Sequence, residues 1–257
     1  MKRLITIIAI TFILSSAGYS SGIGAAKEKL YDAYISGNNS LWLDVMVDLE
    51  ESYKISKNVF TLHELAKSQY GYMGFLIDRR EFEKAKLILP DTEKHINNLL
   101  DYNDDWADVH GLKAGIYGFK IILYPNYVIL NGPKGKGYLN KAKSLNEITP
   151  SVLVEMANYK YHTPSILGGD IDEAIQYYQY AIKLFELTKQ SKNNWQYINT
   201  TVWLAISLDK IGKSSEAKKV LQKLLVQEPD FDWVKNDLYP KILRNESISK
   251  TYYSMNN

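Results

Sequence analysis

The chain predicts an all-α fold, a right-handed solenoid of antiparallel helix pairs with about ten helices, on the strength of three observations. Apolar residues recur at steps of three and four from Trp42 to Leu243, the period of a helix with one buried face. Breaker clusters at Gly37-Asn38-Asn39, Asp78-Arg79-Arg80, Gly168-Gly169 and Gly212 divide those runs into pairs. One complete hairpin lies between Asn158 and Ala181. An aromatic helix stops at Thr163-Pro164, Gly168 and Gly169 turn the chain where a side chain would clash, and Asp170 can cap a second helix that buries Ala174, Tyr177, Tyr178 and Ala181.

At 257 residues, 46% hydrophobic and 23% charged, the chain has enough apolar surface for a large core. Lys2-Arg3, the apolar run Leu4 to Leu14 and small Ser15-Ser16-Ala17 form a secretory signal, so residues 1–21 are expected to be removed on export. The apolar run is shorter than the roughly 20 residues of a membrane-spanning helix. With no Cys there is no lipid-anchor site, disulfide or thiolate metal site, and the expectation is a periplasmic protein that is not a lipoprotein and does not insert in the membrane. Loss of Lys2 and Arg3 lowers the basic count from 31 to 29, equal to the 29 acids, which gives no overall charge to favour either nucleic acid or anionic lipid.

Residues 22–39 form a short N-terminal segment, with a helix over Ala25 to Ile35 that stops at Gly37. The helical repeat domain spans 40–243. Ser40 caps a helix with Trp42, Val45, Met46, Leu49 and Tyr53 on one face, while Asp44, Asp48, Glu50 and Glu51 make its polar side. Val59 to Ile77 follows, then Glu81 to Leu100, which Pro90 should kink or divide. Asp104-Asp105-Trp106 opens a helix to Tyr124, where Gly111, Gly115 and Gly118 offer a smooth stripe to a neighbour. Asn131 to Gly137 is rich in breakers and precedes a short helix carrying Tyr138, Leu139, Ala142 and Leu145 that closes at Thr149-Pro150. It is not a phosphate loop, because Gly132 and Gly135-Lys136 are too close and Gly137 replaces the hydroxyl residue. Ser151 caps the next helix. Residues 244–257 are expected to fray.

The stretch from Trp195 onward has the grammar of a tetratricopeptide (TPR) repeat. Leu204, Ala205 and Leu208 stand at first-helix spacings, and Ala217, Leu221, Leu224 and Pro229 at second-helix ones, with Thr201 where the pattern prefers Trp. Together with Pro164, Gly168-Gly169-Asp170 and Ala174, and with the closing Pro229-Asp230-Phe231-Asp232-Trp233-Val234-Lys235, the chain resembles exported bacterial TPR proteins from about Leu62 to Leu243. A lesser similarity, through the Gly-Gly-Asp hairpin, is to the periplasmic TPR partner of TRAP-type transporters. The resemblance implies a scaffold outside the cytoplasm that binds a protein or peptide partner in the cell envelope, and the second similarity implies a transport component or a carrier of small ligands. The 43 residues between Ala174 and Ala217 exceed the usual period of about 34.

No catalytic constellation emerges from the sequence, and neither a cofactor nor a metal site is expected. His63-Glu64 begins a zinc motif, but Lys67 occupies the second ligand position. Asp104-Asp105 and Asp170-Asp172 sit at helix starts, where carboxylates favour the backbone dipole. On the first-helix side of each pair, Tyr70, Tyr117, Tyr159 and Asn199 are the expected groove contacts, with packing between helices as the alternative for the tyrosines. A carrier would instead wall a pocket with Tyr117, Tyr124 and Tyr161.

Overall fold

The computed structural model describes residues 22–145 and 148–249. The export signal expected over residues 1–21, and the tail beyond 249, lie outside the described residues. Among the described residues there are eleven α-helices and no strand. They are α1 (22–36), α2 (Asn39–Ser56), α3 (Val59–Asp78), α4 (Phe82–Tyr102), α5 (Ala107–Leu123), α6 (Val128–Ser144), α7 (Pro150–His162), α8 (Ile171–Leu187), α9 (Trp195–Lys210), α10 (Ser214–Gln227) and α11 (Tyr239–Leu243). Chain neighbours pair, with α5 on α6, α7 on α8, α9 on α10 and α3 on α4 the most extensive contacts.

The central hairpin forms as its residues dictate. Gly168 adopts φ +97°, and a Cβ on Gly169 would stand 1.7 Å from the Thr163 carbonyl oxygen, so the turn admits no side chain there. The Asp170 carboxylate accepts from the Glu173 amide at 2.9 Å and caps α8, and the Lys160 ammonium donates to the Gly168 carbonyl. Ala174, Tyr178 and Ala181 are fully buried, as are Ala217 and Leu221 in α10, whereas Pro229 is exposed and Trp233 half-buried.

Several expectations are corrected. Asn38 rather than Ser40 caps α2, and Thr149 rather than Ser151 caps α7, each accepting a main-chain N–H one turn on. α4 runs unbroken through Pro90, and α6 through Gly132, Pro133, Gly135 and Gly137. Both prolines lie on exposed sides, where the carbonyl left without a donor is open to water. Gly135 faces inward, and a Cβ there would sit 3.0 Å from the Tyr117 Cβ and 3.5 Å from the Ala114 carbonyl oxygen. The breaker-rich stretch is thus a helix held by close backbone contact with α5. The segment after Arg244 does not fray at once. Ile248 is fully buried, and the Asp209 carboxylate accepts from the Ser247 hydroxyl and the Ile248 and Ser249 amides at 2.7, 3.0 and 3.2 Å.

The core divides into two apolar bodies, one built mainly on α1 to α5 with Trp195 of α9, and one mainly on α6 to α11 with Ala107 of α5. α3, α5 and α7 run side by side in the same direction, since Tyr70 and Gly74 meet Gly115 and Phe119, while Gly111 and Gly115 meet Val152 and Glu155. The turns that follow these three helices therefore emerge at one end of the molecule, and the starts of the helices gather at the other. α1 packs across the chain, its Tyr34 against Trp42, Trp195 and Phe231.

Candidate functional site

The four residues expected to line a groove are not brought together. Tyr70 is buried, and its hydroxyl donates to Glu155 Oε2 at 2.9 Å. The Asn158 amide donates to the same oxygen at 3.3 Å, and the Tyr178 hydroxyl donates to Asn158 Oδ1 at 2.7 Å. This seam between α3, α5, α7 and α8 lies where Gly115 leaves room for the Tyr70 ring and the carboxyl. Burial pushes Glu155 up to about 7, with the Tyr70 and Asn158 hydrogen bonds opposing the rise. Tyr117 is buried and stacks on Tyr138 with centroids 5.6 Å apart. Asn199 Oδ1 accepts from the Tyr34 hydroxyl at 2.9 Å, so α1 covers the face on which it stands. Tyr159 is half-buried at the edge of the C-terminal core. Tyr124 and Tyr161, expected with Tyr117 to wall a carrier pocket, have neighbours of their own. Tyr161 packs edge-on to Trp203, and Lys86 sits over the Tyr124 ring.

A cleft forms elsewhere, at the end where α3 and α5 begin and α4 stops. It is lined by Val59, Phe60, Tyr102, Asn103, Asp105 and Trp106 and holds about 210 Å³. Local hydrogen bonds build its walls. Asn58 Oδ1 accepts from the Phe60 and Thr61 amides to start α3, and Asn103 Oδ1 accepts from the Asp105 amide to shape the turn into α5. Phe60 is 62% and Tyr102 70% exposed, two large aromatic side chains left in water side by side at the cleft. Trp106 is half-buried. Phe60 meets it edge-on at 5.9 Å, and the His63 ring stacks on it at 4.6 Å. Burial and nearby Lys67 hold the His63 imidazole below the usual histidine range, so it is a neutral support for the indole at pH 7.

The carboxylates beside the cleft do not cap α5, whose N-cap Trp106 has no side-chain bond. Lys141 of α6 instead bridges Asp104 at 3.6 Å and Asp105 at 3.3 Å, and the Asp104 carbonyl accepts from His110 Nε2 at 2.6 Å. Phe60, Tyr102 and Trp106 escaped the sequence reading, although Phe60 and Tyr102 had a signal. Both stand off the apolar stripes of their helices, where a solvent-facing position would ordinarily be polar. The remaining histidines are dispersed, His95 Nδ1 lying 2.9 Å from the Gln69 side-chain oxygen and His162 beside Trp203.

No protein-family model matches the chain, nor does any curated protein.

Proposed function

We propose that the chain is an exported, non-catalytic helical-repeat scaffold, its helix pairs wound into a right-handed TPR-like solenoid, which holds a protein or peptide partner in the cell envelope. The supporting observation is the cleft with its two exposed aromatic side chains beside the Trp106 indole. Aromatic anchors around a small recess are what dominate the energy of a peptide interface, because each supplies large contact area at little cost in side-chain entropy. Size favours a peptide side chain as the occupant. At about 210 Å³ the cleft is below the roughly 300–1,000 Å³ of small-molecule pockets.

The test is comparative capture from envelope extract, with the wild-type chain, Phe60→Ala, Tyr102→Ala and a distant exposed control, Val226→Ala. A stoichiometric partner retained by the control and lost at least tenfold in either aromatic variant is the expected result. Equal capture by all four proteins, or a co-purifying small molecule with no protein, would sink the scaffold reading.

A further inference from the structure

The α5–α6 hairpin ends in an apolar tip. Six consecutive residues, Pro125 to Leu130, are all exposed, and Tyr127, Val128, Ile129 and Leu130 are 56, 42, 82 and 59% accessible. Successive helical residues point about 100° apart, so these side chains radiate round the start of α6 instead of forming one face. A flat protein partner would bury one side of such a tip and leave the others wet. A lipid surface closes round it from all sides.

Charge gives the second argument. From Val109 to Leu145 the sequence has six lysines and no acid, although the whole protein is nearly neutral. Lys113 and Lys120 are paired with Glu93, and Lys141 with Asp104 and Asp105. Lys134 and Lys136 are exposed and make no ion pair among the described residues. They lie about 9 and 12 Å along α6 from Val128. A tip immersed about 5–10 Å into the interface would set both ammonium groups at headgroup level. Acids at this end are mostly engaged, Asp170 in capping α8, Glu81 with Lys84 and Glu173 with Lys160, while Asp172 is exposed. The α7–α8 turn, at the same end, adds Ile166 and Leu167, 91 and 61% exposed.

We infer that this end docks peripherally on an anionic lipid surface, with Tyr127 to Leu130 immersed and Lys134 and Lys136 against the headgroups. No helix among the described residues is long and apolar enough to cross a membrane, and none is needed. The aromatic cleft sits at the opposite end of α5, about 25 Å away, and would face off the membrane. The inference rests on the tip alone and stands whether or not the cleft binds a peptide.

The chain has no Cys, so a single cysteine carries an environment-sensitive dye to a chosen place. Asn126→Cys reports the tip, and exposed Ile55→Cys, at the cleft end, is the control. The expected result is a blue-shifted, several-fold brighter emission from position 126 with phosphatidylglycerol-containing vesicles, little change with phosphatidylcholine alone, and none from position 55. Adding Lys134→Gln and Lys136→Gln to the tip-labelled protein should weaken partition to the anionic vesicles about 30-fold. An unresponsive tip, equal responses from both positions, or partition indifferent to the two lysines would overturn the inference. So would a signal that rises with protein concentration without vesicles alongside a dimer in sedimentation, since the tip would then join two copies.

Discussion

The hairpins α9–α10 and α5–α6 are both antiparallel helix pairs, and they close by opposite means. In α9–α10 small and bulky side chains alternate, with Ala205, Ala217, Leu221 and Leu224 all essentially buried, so side-chain volume fills the space between helices. In α5–α6 the filling is done by backbone. Gly135 brings α6 against Ala114 and Tyr117, and on the other side of α5 Gly115 accommodates Tyr70 and Glu155. The first device leaves a legible pattern of residue sizes. The second uses residues that ordinarily end helices, and the same hairpin is the one left with an apolar tip and with lysines that make no ion pair among the described residues. A helix of weak intrinsic propensity is kept because tertiary contact, not local preference, holds it.

The difference can be broken at three points. Leu221→Ala in α10 should cost about 2–5 kcal/mol, because a fully buried side chain is lost from a pair that depends on volume, and urea unfolding will show it as a lower midpoint at unchanged slope. Gly135→Val in α6 should cost about 1–3 kcal/mol by the reverse mechanism, added atoms forcing α6 off α5, with α6 losing amide-exchange protection before α9–α10 does. If Gly135→Val leaves stability untouched, the backbone contact is not what holds the pair.

The third effect is set by pH. Burial raises the folded-state Glu155 carboxyl from 4.5 to about 7, so the folded chain keeps a proton that the unfolded chain has lost between those values. Its contribution to stability therefore declines as pH rises from about 4.5 to 7 and is flat beyond. Glu155→Gln retains an oxygen for Tyr70 and Asn158 but does not titrate. The variant should be roughly 3 kcal/mol more stable than wild type at pH 8 and equal to it at pH 4. A pH-independent difference would mean that Glu155 is not the group that titrates in the seam.

The candidate site was less legible than the helices around it. Phe60 and Tyr102 are visible in the sequence only as aromatics off the stripe, and they acquire meaning when the end of α4 arrives beside the start of α3. Tyr70 and Asn199 were the converse case. Their positions on first helices suggested an open face, but each is engaged by a distant residue, Glu155 at 85 positions' separation and Tyr34 at 165.

What the sequence determined by itself is the helical class, the Gly168-Gly169-Asp170 hairpin and the α9–α10 pair. Those features follow from spacing, turn chemistry and caps, which act over a few residues and need no knowledge of the rest of the chain. Only the tertiary structure decided that Asn131 to Gly137 is helix, that Asp209 ties down residues 247–249, that α1 covers Asn199, and that Phe60, Tyr102 and Trp106 share a cleft. Each depends on which surfaces meet across long separations, and burial, unlike helical period, is a property of the neighbour as much as of the residue.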